Sequence, residues 1–179
     1  MISSSERNGR GQISTPAAAR DYGVVVLTTR VIFGAMSLRL ALLRLRARGR
    51  LLAGARVHVG PGVRVTIARG ARVELGDGVE LAEGSRIDAF APVVLHAGAR
   101  LGERAAIVAR AGVEIGAGAV IGDWAIVADD ASPDEAKPVR IGAGARIGMH
   151  AVVGGDVKPG AEVAPYEVVE RVAAAVSRS

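Results

Sequence analysis

The sequence predicts an all-β solenoid of short parallel strands, preceded by an amphipathic helix and followed by a short C-terminal helix. Three observations carry that expectation. Large aliphatics recur at Ile67, Leu75, Leu81, Ile87, Leu95, Leu101, Ile107, Ile115, Ile121 and Val127, in steps of 8, 6 and 6 taken three times over. Two places before each, from Leu75 onward, stands Val, Ala or Ser, the pattern of a strand with one buried face. Aromatics make up only 3% of the 179 residues while half are hydrophobic and 24 are glycine, so the core is aliphatic and turns are frequent.

A six-residue recurrence is neither a helical period nor a long strand. It describes a short strand, a sharp corner and another short strand. Three such sides close a triangle, and the steps of 8, 6 and 6 give 20 residues per coil with two extra at one corner. Coils then stack by parallel backbone pairing at ~4.8 Å, each covering its neighbour's apolar interior. Between Val127 and Ile141 the step is 14, after which Ile147 and Val153 resume the beat. The solenoid is thus expected over residues 51–165, with 128–138, ADDASPDEAKP, leaving it as a loop whose prolines and acids suit exposed backbone.

The flanking elements follow from composition. Residues 1–20 are polar and aperiodic, the signature of a disordered tail. Residues 21–50 are read as a basic amphipathic helix. Gly23 to Leu43 is long enough for a membrane span, but Arg30 and Arg39 interrupt it, and a charge in hydrocarbon is expensive. Its charged flank follows it and no cleavage site is evident, which fits a signal peptide poorly. Arg39, Arg44, Arg46, Arg48 and Arg50 form a run within a chain of net charge +5. Such a run suits phosphates, anionic lipid or an acidic partner, or is simply a solvated helix face. No aromatic platform accompanies it, so no nucleic-acid partner is expected. There is no cysteine, hence no disulfide framework and no thiolate chemistry. The expected location is cytoplasmic, or peripheral to the inner face of the membrane through the basic helix. In residues 166–179, Val168, Val169, Val172 and Val176 lie at helical spacing and predict a short docked helix.

Registering the coils turns the sequence into columns. On the side ending at Ile87, Ile107, Val127 and Val153, the outward residues are Arg86, Ala106, Ile126 and Val152. This apolar stripe is read as an interface with further copies of the chain, the competing reading being that a terminal helix covers it. At a corner, Arg104, Trp124 and His150 take the same place in successive coils, each three residues before an inward aliphatic. They should lie together, with Arg104 stacked on Trp124.

The beat resembles that of the hexapeptide-repeat acyltransferases over about residues 55–165. The resemblance implies a left-handed parallel β-helix, which parallel connections alone would not suggest. It also implies homotrimers with parallel axes, here through the Ala106/Ile126/Val152 face, and acetyl-coenzyme A or another acyl-coenzyme A as co-substrate, with no metal. In galactoside- and maltose-type acetyltransferases a loop at this place carries a histidine just before a proline. That histidine acts as general base on a sugar hydroxyl, which then attacks the acetyl thioester. Here Ser132 stands at that place before Pro133, so the loop is present without its base.

Substitutes are sought among the histidines. His150 lies in the coil immediately after the loop, which favours it as the base; His96 follows an inward leucine at another corner and stays a candidate, since a neighbouring subunit could bring either to the loop. Asp129 or Asp130 could hydrogen-bond a substrate hydroxyl; Asp130 joins the catalytic candidates, with Trp124, Arg104 and Ser132 as candidate substrate contacts. The family's closing turn, similar to VVTKDVPPYSIVAGNPA, survives here as AVVGGDVKPGAEVAPYEVV, with Gly155 where a basic residue is usual and no Asn-Pro element. Lys158 and Gly142 are the candidate coenzyme contacts. A zinc site as in the related γ-class carbonic anhydrases would need His58, His96 and His150 to converge, and they fall in separate coils. The Gly-x-Gly pairs, such as Gly116 to Gly118 and Gly142 to Gly144, are corner residues and no phosphate loop. Two functions remain: transfer of an acyl group, acetyl above all, from coenzyme A to a sugar or glycan hydroxyl, and a catalytically degenerate β-helix serving as a structural or binding module.

Overall fold

In-register parallel pairing is what places each aliphatic of one coil directly on its counterpart in the next. A computed structural model describes residues 38–129 and 137–170. The first element is α1 (Leu38–Ala47). The first coil is β1 (Leu51–Ala53), β2 (His58–Val59) and β3 (Arg64–Ile67), and the second β4 (Val73–Leu75), β5 (Glu80–Leu81) and β6 (Arg86–Ala89). The third holds β7 (Val93–Leu95), β8 (Arg100–Leu101) and β9 (Ala106–Ala109), the fourth β10 (Val113–Ile115), β11 (Val120–Ile121) and β12 (Ile126–Ala128). The fifth is β13 (Val139–Ile141), β14 (Arg146–Ile147) and β15 (Val152–Val153), and the sixth adds β16 (Glu162–Val163) and β17 (Val168–Val169).

The strands sort into three parallel sheets, one per side: β1-β4-β7-β10-β13, β2-β5-β8-β11-β14-β16 and β3-β6-β9-β12-β15-β17. Leu81, Leu101, Ile121, Ile147 and Val163 form one interior column. Leu75, Leu95, Ile115 and Ile141 form a second, and Ile87, Ile107, Val127 and Val153 a third. All of these side chains are buried. The corner glycines let the coils come this close. A Cβ at Gly142 would stand 2.2 Å from the Pro159 nitrogen of the following coil, so no larger residue fits there without moving backbone.

Two expectations need correction. The beat does not begin at Ile67: Val65 lies under Ile87, and Ile67 pairs with Ala89. The first coil is therefore two residues longer at its last corner, and Ile67 falls two residues past the column of Ile87. At the other end, Val168 and Val169 belong to strand β17, paired with Val152 and Val153, so the predicted helix does not start at 166. The valine spacing there fits two periods at once, and pairing with an existing sheet edge decides between them. Residues 171–179 of that helix, residues 21–37 of the N-terminal helix and the 1–20 tail lie outside the described residues.

Helix α1 lies across the end of the solenoid, touching β1, β2 and β3. It inserts Leu40 and Ala47 into the core, with Leu43 packed beside them. Arg39 donates to the Val59 carbonyl at 3.5 Å, Arg44 to the Ala53 carbonyl, and Arg50 to the Ala68 carbonyl at 3.0 Å. Three of the five arginines in the run thus satisfy carbonyls of the first coil.

One interior position breaks the pattern. Ser85 occupies the place that Ala105, Ala125 and Ala151 take in later coils, is fully buried, and its hydroxyl has no partner among the described residues. Leaving a hydroxyl unbonded costs about 1 kcal/mol or more. Ser85→Ala is expected to raise stability by about 1 kcal/mol, visible as a higher melting temperature; a lower one would mean the hydroxyl is bonded.

Candidate active site

The corner between the second and third sheets carries a ladder of flat side chains. Arg104 Cζ lies 4.8 Å above the Trp124 ring centre. Trp124 stacks on His150 at 5.9 Å and 10° between planes, and His150 on Tyr166 at 5.0 Å and 5°. The structure thus brings together the three residues expected at this corner and adds a fourth. All four have positive φ, from 52° to 64°, where the first two coils use Gly62 and Gly84 at the same corner. The left-handed conformation costs an L-residue roughly 1–2 kcal/mol, and each stacked pair returns roughly 0.5–1.5 kcal/mol. With four such residues and three contacts, the stacking offsets part of the strain, and the ladder braces coils three to six against one another. His150 therefore has two ring neighbours but no carboxylate to orient it among the described residues.

His96 sits in a different environment. It follows β7 at the corner between the first and second sheets, and its Nε2 is 2.8 Å from Glu114 Oε1. The other oxygen of Glu114 faces Arg140 at 3.5 Å. Register produces this contact: Leu95 and Ile115 are paired, so the residue after one and the residue before the other meet on the outer surface. An ionised carboxylate can only accept, so Nε2 carries the proton that faces Glu114, and in the neutral imidazole Nδ1 is then the acceptor. His96 also borders a surface groove with Arg44, Leu52, Glu74, Val94 and Ala97. A separate groove lies over the second sheet, bordered by His58, Arg100, Val120, Asp123, Met149 and Pro165.

Asp130 and Ser132 lie outside the described residues. Asp129, at the root of the loop, is taken up by backbone. Its carboxylate is 1% exposed and accepts the backbone N–H groups of Arg110 and Gly112, each at 2.6 Å, and of Ala111. This is an anchor that holds the preceding coil's corner against the point where the loop departs.

Lys158 and Gly142 are adjacent: the Lys158 carbonyl carbon is 2.6 Å from where a Gly142 Cβ would stand. Gly142 is needed for that backbone approach, and its N–H bonds to the Val157 carbonyl at 2.8 Å. Gly116 and Gly142, and Gly142 and Lys158, meet in the same way, and Leu95 pairs with Ile115 and Ile115 with Ile141. His96, Gly116, Gly142 and Lys158 therefore form one corner row. Sequence reading treated the two ends of this row separately, and the beat does not align them: Ile141 lies beside Val157, four residues sooner than a 20-residue coil would place its partner.

The apolar stripe is in place. Ala106, Ile126, Val152 and Val168 pair side by side, and Ile126, Val152 and Val168 are exposed. No described helix covers them. His58, His96 and His150 stand in separate coils, and no group of three or more His, Asp or Glu among the described residues is arranged to hold a metal ion.

No family model matches the sequence, and no curated protein matches it. Among solved structures the chain is similar to a hexapeptide-repeat containing acetyltransferase of Vibrio cholerae O1 biovar eltor, determined in complex with acetyl-coenzyme A. The TM-score is 0.54 at 16% identity, over 82% of this chain and 87% of that one. The likeness agrees with the resemblance read from the repeat, and the architecture is that of a left-handed parallel β-helix.

Replacing Asp129 by Ala would leave three N–H groups without their acceptor and is expected to cost at least ~3 kcal/mol. Denaturant unfolding of the purified variant measures it, and a loss below ~1 kcal/mol would show that water takes over the anchor's role.

Proposed function

We propose that this chain is an acyltransferase that moves an acyl group, most simply acetyl, from coenzyme A to a hydroxyl of a sugar or glycan-type acceptor. The observation that carries the proposal is the corner row, which sets an imidazole oriented by a carboxylate at one end and an exposed lysine at the other. The fold supports it, since a structure of the same architecture holds acetyl-coenzyme A. The sugar-type acceptor rests on the likeness of the 128–138 loop to that of galactoside- and maltose-type enzymes.

In this reading His96 is the general base. With Nε2–H donated to Glu114, Nδ1 removes the proton of the acceptor hydroxyl as its oxygen attacks the thioester carbonyl. The tetrahedral intermediate collapses with loss of the coenzyme thiolate, which takes the proton back from His96. Lys158 stands three coil spacings along the same corner, ~14 Å away, where an ammonium offers a point charge to the coenzyme's phosphates. His150 is the rival base; its ring is held by stacking on both faces and has no acid partner to set its tautomer. A second reading, a binding module without catalysis, draws on Ser132 standing where related loops carry histidine.

The apolar stripe supports a further element, a homotrimer through the Ala106/Ile126/Val152 face. Exposed aliphatics side by side on one sheet are costly in water and match self-association.

Calorimetry with acetyl-coenzyme A is expected to show binding, and His96→Ala to lower acyl transfer ~100-fold or more. Absence of binding would favour the module, and a larger loss from His150→Ala would move the base to the ladder. Sedimentation of the wild type is expected to give a trimer, and Ile126→Arg a smaller species; a monomeric wild type at micromolar concentration would remove the interface.

A further inference from the structure

Charge is distributed very unevenly along the solenoid. From Leu38 to Arg72 the sequence holds nine arginines and no acid, whereas from Val73 to Glu170 it holds sixteen acids against eight lysines and arginines. The first stretch is helix α1 and the first coil with its closing corner, so one end of the solenoid is wholly cationic. Arg46, Arg48, Arg56, Arg64 and Arg69 are exposed there and make no ion pair with a described residue.

Helix α1 adds an apolar component to the same end. A helix turns ~100° per residue, so Leu38, Leu42 and Leu45 share the face opposite Leu40, Leu43 and Ala47. The inner three hold the helix on the core. The outer three are 76%, 47% and 77% exposed. Arg39 and Arg46 border this leucine face on one side, and Arg48 follows directly after the helix, exposed, with φ 49°. A solvated helix face would not carry three bare leucines, and an acidic protein partner would be met by arginines alone. Leucines flanked by arginines match a medium that is apolar a few ångströms below an anionic surface. No described helix is long and apolar enough to cross a membrane, and α1, ten residues long and anchored through its other face, lies flat on such a surface.

We infer that this end of the solenoid docks on an anionic lipid surface, with Leu38, Leu42 and Leu45 entering the headgroup–acyl boundary and Arg46, Arg48, Arg56, Arg64 and Arg69 facing lipid phosphates. The solenoid axis then stands away from the membrane, and the His96 corner and the ladder rise above it. The inference does not depend on catalysis.

Flotation of the full chain with vesicles tests it. Binding is expected to phosphatidylcholine vesicles containing ~30% phosphatidylglycerol and to fall at ~0.5 M salt, with little binding to phosphatidylcholine alone. The triple variant Leu38→Ser, Leu42→Ser, Leu45→Ser and the double variant Arg46→Gln, Arg48→Gln are each expected to weaken binding ~10-fold, with melting temperatures showing that the fold is kept. Equal binding to neutral and anionic vesicles, or anionic binding that neither variant weakens, would overturn the inference. So would no vesicle binding accompanied by retention on duplex DNA, which would give the arginines to nucleic acid.

Discussion

Parallel hydrogen bonding between coils fixes the distance at which every residue meets its counterpart, ~4.8 Å, and most of this molecule's features follow from that spacing. Gly54, Gly76, Gly116 and Gly142 stand where a Cβ would enter the next coil's backbone. The interior columns are aliphatic, Ser85 apart, because a like side chain lies above or below each one. The same spacing sets flat rings at a corner 5.0 to 5.9 Å apart, close enough to stack, and lets Glu114 reach both His96 and Arg140. A helix would have offered such residues neighbours three or four positions away in sequence; here the neighbours are a coil away.

That constraint explains why the fold was legible in the sequence. A rule that recurs with the coil leaves its period in the chain, and the columns of Leu81, Leu101 and Ile121 follow from counting alone. The ladder was legible for the same reason, as far as Arg104, Trp124 and His150. Tyr166 was missed because its segment was assigned to a helix, although it stands three residues before Val169, as His150 does before Val153. The misplacement of Ile67 came from a coil that is longer at one corner, which a fixed beat cannot foresee.

The site was less legible because its contacts depend on side-chain reach rather than on period. The meeting of Glu114 and His96 follows from register once the coils are aligned, yet it needs a histidine rotamer that no pattern specifies. Asp129 looked like a candidate for substrate because it opens an acidic loop. Its three backbone partners on Arg110, Ala111 and Gly112 became evident only when the preceding corner was placed beneath it. The arginine run gave a composition and no geometry. Arg39, Arg44 and Arg50 turn inward to carbonyls while Arg46 and Arg48 stay outside, and the helix crossing the first coil decides which.

The way α1 closes the first coil bears on assembly. A parallel solenoid ends in a row of strand groups with no strand beyond them, and such a row is a template on which another molecule's last coil could continue the pairing. Repeated, that contact would build a filament with no natural stopping point. Leu40 fills the opening and three guanidinium groups occupy carbonyls on that rim. The helix is thus a chain terminator in the polymer sense. Strand pairing with another molecule's coil would first have to displace it from this end.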